Sequence, residues 1–218
     1  MALKNKENYL KAFFTNADVN GFLPLSVLSK KMGVSVPTAN SMAKSLHELG
    51  WVKYEKYKPL QLTTQGRKEA ALIIRKHRIT EKFLFEKMGL GWEHVHDIAE
   101  EIEHIDSDIF FERMDEMLDY PKVDPHGSPI PDENGNLKLL RGMPLSTLAA
   151  GQKAKLCSIY NSSSEFLIFL NKKEISLGTE FDILEKEPFD ESITVAYSGH
   201  QAETLSKLVC ERLYVKTV

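Results

Sequence analysis

Apolar residues in the first third of the chain recur at helical spacing in three short stretches. In residues 4–15, Tyr9, Leu10, Phe13 and Phe14 fall on one side of a helix. Pro24, tolerated in a first helical turn, opens a second helix that runs to Lys31, and Gly33 breaks it. Ser35 is placed to cap a third helix, which has Pro37 near its start, extends to about Leu49 and stops at Gly50. Two short helices joined by Met32-Gly33-Val34 are the helix-turn-helix pattern. Alternating apolar positions then flank the basic, Pro-containing turn Lys56-Tyr57-Lys58-Pro59, which predicts a β-hairpin over Trp51–Thr63, the "wing" of a winged helix-turn-helix. Thr63 or Thr64 caps a long helix reaching roughly Met88.

Two acidic helices are expected near 92–106 and 107–119. The second carries Ile109, Phe110, Phe111, Met114, Met117 and Leu118, an apolar surface suited either to a homodimer interface or to the chain's own core. Residues 120–150 are rich in Pro and Gly and read as an extended loop. Residues 151–218 show short alternating runs at Lys155–Tyr160, Glu180–Leu184 and Ser192–Ala196, while Thr204–Leu213 fits strand and helix equally. The expected fold is mainly α with small β parts. Residues 1–64 form a winged helix-turn-helix DNA-binding domain, 65–140 a helical metal-binding and dimerisation domain, and 141–218 a small β domain.

Composition is that of an ordinary globular chain, with 27% charged and 42% hydrophobic residues among 218. No stretch is long and apolar enough for a membrane span and the N-terminus lacks an apolar signal core, so a cytoplasmic protein without a membrane partner is expected. Cys157 and Cys210, outside any metal-ligand spacing, read as reduced thiols. The net charge of −3 conceals an asymmetry: residues 1–78 carry +9 and the remainder −12. A basic first third suits a polyanion such as DNA, and an acidic remainder gathers cations.

The third helix is the natural recognition helix, entering the major groove by its N-terminal end with Ser35, Pro37, Thr38, Asn40, Ser41 and Lys44. Asn can pair adenine bidentately, and Ser and Thr hydroxyls read less specifically. With no Arg on this helix, part of the readout falls to DNA shape. Lys53, Lys56 and Lys58 in the hairpin, with Lys30 and Lys31, are placed to bind phosphates.

A second constellation carries metal chemistry. His77 and Glu81 are four apart on the long helix; His96 and Glu100, then Glu100 and His104, repeat the spacing on the next, with Glu103 one turn from Glu100. Imidazole and carboxylate without thiolate suit manganese, ferrous iron, cobalt or zinc, and the high carboxylate share leans toward manganese, then iron. Clustered carboxylates on one face repel unless a cation offsets them.

In this order, the winged helix-turn-helix, RKHR…E, VHD…EEIEH and DPHGSPIP resemble the DtxR/MntR (diphtheria toxin repressor) family of metal-dependent regulators over nearly the whole chain. The resemblance implies a homodimeric repressor on palindromic operator DNA and a C-terminal Src-homology-like (FeoA-like) β-barrel. It implies an ancillary metal site at His77, Glu81 and His96, joined by Asp124, His126 and Glu165. It implies a regulatory site at Glu100, Glu103 and His104 with one first-helix residue. That position falls on Asn8, a neutral amide, with Glu7 beside it as a substitute. A further carboxylate of some two-ion manganese sensors falls on Lys11, which cannot ligate. Two other readings compete: a metal-dependent hydrolase, against which stands the lack of a His-Glu-x-x-His motif, and a winged-helix regulator whose metal cluster is purely structural.

Overall fold

The computed structural model describes residues 2–18, 20–138 and 142–218, with Ala2 and Leu3 described in backbone only. Packing divides the chain into two compact units. The first comprises residues 1–80, 99–122 and 130–138; the second comprises 81–98, 123–129 and 139–218. This grouping cuts the chain differently from the three stretches 1–64, 65–140 and 141–218.

The first unit opens with α1 (Ala2–Asn16), followed by β1 (Phe22–Leu23), α2 (Leu25–Lys31), α3 (Val36–Glu48), β2 (Val52–Lys53) and β3 (Leu60–Leu62). Ser35 caps α3, its hydroxyl oxygen accepting from the Thr38 amide, with Pro37 in the first turn. Leu10 and Phe13 of α1, Leu28 of α2, Ala39, Ala43 and Leu46 of α3, and Val52 and Leu60 of the hairpin form one buried cluster. The wing is a three-stranded antiparallel sheet in the order β1-β3-β2. Its extra strand β1 is only two residues long, too short to show alternation in sequence. Next come α4 (Thr64–Glu86), α5 (Val95–Ile102) and α6 (Asp108–Met117). Helix α5 is shorter than the expected 92–106. Glu103 and His104 lie in the turn that ends it, where Glu103 N still bonds Ala99 O at 2.9 Å and Ile105 N closes a tighter bond to Ile102 O.

The second unit holds β4 (Met143–Pro144), β5 (Lys153–Ile159), α7 (Ser164–Lys172), β6 (Glu180–Lys186), β7 (Ile193–Tyr197), β8 (His200–Leu205), α8 (Lys207–Cys210) and β9 (Leu213–Thr217). The strands form one antiparallel sheet in the order β4-β9-β5-β6-β7-β8. The expected barrel is corrected to an open sheet, since its described ends, β4 and β8, do not pair. One edge is the two-residue β4, whose Pro144 has no N–H to extend a ladder. The ambiguous Thr204–Leu213 segment resolves into the end of β8, the one-turn α8 and the start of β9. Helix α7, unforeseen in sequence, buries Phe166, Leu167 and Leu170 among Leu156, Phe181, Val195 and Val215. Both cysteines are free thiols, and burial pushes the Cys210 thiol up to about 12.

Candidate metal centres and nucleic-acid interface

In the first unit, the cluster around Glu103 and His104 is built against one face of α1. Lys4, Glu7 and Lys11 follow helical i, i+3, i+7 spacing, and each meets the chain at the end of α5. Lys4 Nζ lies 2.8 Å from Glu101 Oε2. Glu7 Oε2 lies 2.6 Å from His104 Nδ1. Lys11 Nζ donates to Glu100 Oε1 at 3.2 Å and to the two oxygens of Glu103 at 2.7 and 3.0 Å. The first-helix side chain on His104 is therefore Glu7, one residue before Asn8.

Glu103 is buried, and its Oε2 also receives His77 Nδ1 at 2.6 Å. Burial alone would raise its carboxyl pKa. The His77 imidazole and the Lys11 ammonium outweigh burial and hold it below the usual carboxylate range. The Glu7 carboxylate accepts from Nδ1 of His104, which leaves Nε2 as the nitrogen with a lone pair to offer. That Nε2 is buried without a hydrogen bond and stands 3.5 Å from Glu103 Oε1. A ring fixed through one nitrogen by a carboxylate, with the other bare and facing carboxylate oxygens, is the usual preparation of a metal-ligating histidine. Glu100, Glu103 and His104 thus fit a divalent cation by donor type and by this unsatisfied nitrogen.

The second unit brings together another set. Glu81, Asp124 and His126 are all buried and each offers a ligand atom within 4.8 Å of the others'. His96 Nδ1 is 3.2 Å from Glu81 Oε1. His126 Nε2 lies 2.9 Å from the Trp92 carbonyl. A carbonyl only accepts, so Nε2 carries the proton and Nδ1, 3.9 Å from Glu81 Oε2, presents the lone pair. Asp124 Oδ1 accepts from the backbone N–H of His126 and Ser128, which folds 123–129 into a tight loop. That loop is pinned to β5 by Ile159 N donating to His126 O at 2.9 Å. Glu165 is not brought to this set; it is exposed in the first turn of α7, where Ser163 and its own backbone engage the carboxylate. His77 lies one turn before Glu81 on α4, and its Nδ1 meets Glu103 Oε2 at 2.6 Å.

On α3, Ser35, Pro37, Thr38, Ser41 and Lys44 are exposed, whereas Asn40 is half-buried and accepts the Tyr54 hydroxyl at 2.8 Å. Lys53, Lys56 and Lys58 are exposed on the wing. Lys58 pairs with Glu55 at 2.5 Å, and Lys56 lies 4.8 Å from the Tyr57 ring centre. Of the six apolar residues proposed for a dimer contact, Phe111, Met114 and Leu118 are already buried within the chain. Ile109 and Met117 are exposed and Phe110 is half-exposed.

A capped recognition helix beside a basic wing, followed by histidine–carboxylate clusters, defines the class of metal-responsive DNA-binding regulators. Residues 1–60 match the family described as "Iron dependent repressor, N-terminal DNA binding domain", 63–132 "Iron dependent repressor, metal binding and dimerisation domain", and 143–217 the FeoA domain. The iron-dependent repressor IdeR of Mycobacterium tuberculosis is 32% identical over 225 residues, covering 97% of this chain and 96% of that one. The diphtheria toxin repressor of Corynebacterium glutamicum is 27% identical, with 93% and 92% covered. A solved manganese-dependent transcriptional repressor in complex with manganese superposes with a TM-score of 0.87 at 28% identity, covering 98% of this chain and all of that one. ScaR with bound Zn2+ follows at 0.80 and 28%, with the same coverage. The chain belongs to the iron-dependent (diphtheria toxin) repressor family of metal-dependent transcriptional repressors. The hydrolase reading is thereby set aside, because these relatives are repressors. Among the described residues, no helix is long and apolar enough to cross a membrane.

Proposed function

We propose that this chain is a cytoplasmic, manganese-responsive repressor that binds a palindromic operator as a homodimer, with ferrous iron as its second activating ion. The observation that carries the reading is the buried, unpartnered Nε2 of His104, set beside Glu103 and fixed through Nδ1 by Glu7. Glu100, Glu103 and His104 form the regulatory site, with Glu7 rather than Asn8 orienting the histidine. Glu81, His96, Asp124 and His126 form the ancillary set. Carboxylate at position 100, where a thiolate would favour softer ions, supports manganese, as does the manganese complex of a related repressor.

Glu100, Glu103 and His104 would hold a divalent ion, which would bring more positive charge to these carboxylates than the single ammonium of Lys11. The chain's own residues convert that charge into position. Glu7 belongs to α1, which packs through Leu10 and Phe13 into the same core as α2 and α3. Any tightening of α1 onto Glu103 and His104 is therefore transmitted to the recognition helix by packed side chains. Held by these residues, an ion with higher affinity for the DNA-competent form would shift the population toward it, and operator DNA would tighten metal binding by the same factor. In the groove, Ser35, Pro37, Thr38, Asn40, Ser41 and Lys44 face bases, with Tyr54 steadying Asn40, while Lys53, Lys56 and Lys58 hold phosphates. Ile109, Phe110 and Met117 are the proposed dimer contacts.

The test is a DNA-binding titration on fragments upstream of the protein's own gene and of metal-transporter genes, with Mn2+, with Fe2+ under anaerobic conditions, and with chelator. Tight, sequence-selective binding with Mn2+ and loss of stimulation in His104→Ala is the expected result. Equal binding in chelator would make the clusters structural and refute the reading.

A further inference from the structure

Lys11 stands where the regulatory cluster needs a cation. Its side chain is 17% exposed, and its ammonium meets Glu100 and both oxygens of Glu103, a carboxylate with no side-chain exposure. Glu103 Oε2 is additionally taken by His77. Glu103 Oε1, the oxygen 2.7 Å from Lys11 Nζ, is the one that the unpartnered His104 Nε2 faces at 3.5 Å. The oxygen best placed to ligate together with His104 is thus already held by a cation that the chain supplies itself. A divalent ion seated on His104 Nε2 and Glu103 Oε1 would lie within a few ångströms of that ammonium, and both compete for the same lone pairs. Like charges that close in a partly buried site repel strongly.

We propose that Lys11 is a tethered competitor that sets the metal threshold of the regulatory site. In the metal-free chain its single positive charge offsets part of the charge of Glu100 and Glu103 and fastens α1 to the end of α5. On loading, its ammonium has to leave Glu103 before Oε1, the oxygen facing His104, is available to the ion. Its removal therefore strengthens metal binding and loosens the metal-free protein. The proposal rests on Glu100, Glu103 and His104 being the regulatory ligands.

The experiment is a Mn2+ titration of the full-length, metal-free protein, read by the electron paramagnetic resonance signal of free aqueous Mn2+. The forms compared are wild type, Lys11→Met, Lys11→Gln, Lys11→Arg and His104→Ala. Loss of charge-assisted hydrogen bonds to a competing cation predicts about 10–100-fold tighter Mn2+ binding in Lys11→Met and Lys11→Gln. Lys11→Arg should stay near wild type. Melting in chelator should come at lower temperature for Lys11→Met, with a larger rise on adding Mn2+ than in wild type. Should Lys11→Met fail to fold, Lys11→Gln, which keeps a donor for Glu103, decides. Unchanged or weaker Mn2+ binding in the neutral variants, with one ion lost in His104→Ala, overturns the role of Lys11 alone. Full wild-type binding in His104→Ala overturns the regulatory assignment and the proposal with it.

Discussion

Gly127 sits at the centre of the loop that presents Asp124 and His126, and its replacement by alanine is a sharp test of how that set is built. Its φ is +82°, in the left-handed region where an L side chain is strained by about 1–2 kcal/mol. A Cβ there would meet the Cys157 carbonyl oxygen at 2.2 Å and Ser158 Cα at 2.8 Å. Both are backbone atoms of β5, so relief requires the loop to move off the strand by about an ångström. That movement lengthens the 2.9 Å bond from Ile159 N to His126 O, which costs about 1 kcal/mol more. The sum, with lost packing, is about 3 kcal/mol, which corresponds to a melting temperature lower by roughly 6–12 °C for a chain of this size. Because His126 Nδ1 and Asp124 move with the loop, Gly127→Ala should also lose an ion at the second set while retaining the one that depends on His104. Calorimetric melting in chelator and metal counting by competition with a chelating dye measure the two effects. Wild-type melting together with full metal content would refute the argument that close approach of 123–129 to β5 organises these ligands.

Three further outcomes follow. Lys56→Ala should weaken DNA binding about equally across sequences and reduce the salt slope by about one counterion, as loss of a phosphate contact does; titrations at several salt concentrations check this. Lys56 is preferred to Lys58, whose ammonium already pairs with Glu55. Ser35→Ala removes the acceptor for the Thr38 amide and should cost about 1 kcal/mol in denaturant unfolding, with weaker operator binding. In metal-free protein, the Glu103 carboxyl should remain ionised where an ordinary Glu is half-protonated, a shift visible by carbon-detected NMR titration. Its folded pKa is the lowered one, so its contribution to stability is present above the unfolded value of about 4.3 and fades as pH falls through the folded value. A Glu103 that titrates normally would mean that His77 and Lys11 do not hold it.

The winged helix-turn-helix was legible in the sequence because its determinants are local. A hydroxyl before Pro37 caps a helix, Gly50 ends one, and alternation about a Pro-containing basic turn makes a hairpin, whatever lies elsewhere. The histidine and carboxylate positions were legible for the same reason, since i, i+4 spacing fixes a shared face. What those side chains touch depends on residues distant in the chain. That Glu7 and not Asn8 reaches His104, and that Lys11 reaches Glu100 and Glu103 about ninety positions away, depends on the rotation of α1 about its axis, which long-range packing of Leu10 and Phe13 sets. His77 illustrates the limit: its spacing gives it a helix face shared with Glu81, but that its Nδ1 also meets Glu103, twenty-six positions away, is set by packing. The division of the α6 apolar residues between buried Phe111, Met114 and Leu118 and exposed Ile109 and Met117 was likewise open in sequence, because periodicity finds an apolar face without saying what covers it. Helix α7 and the open sheet belong to the same class. Their short elements carry weak periodic signals, and whether the strands of a sheet close is a matter of edge pairing, which only the folded chain decides.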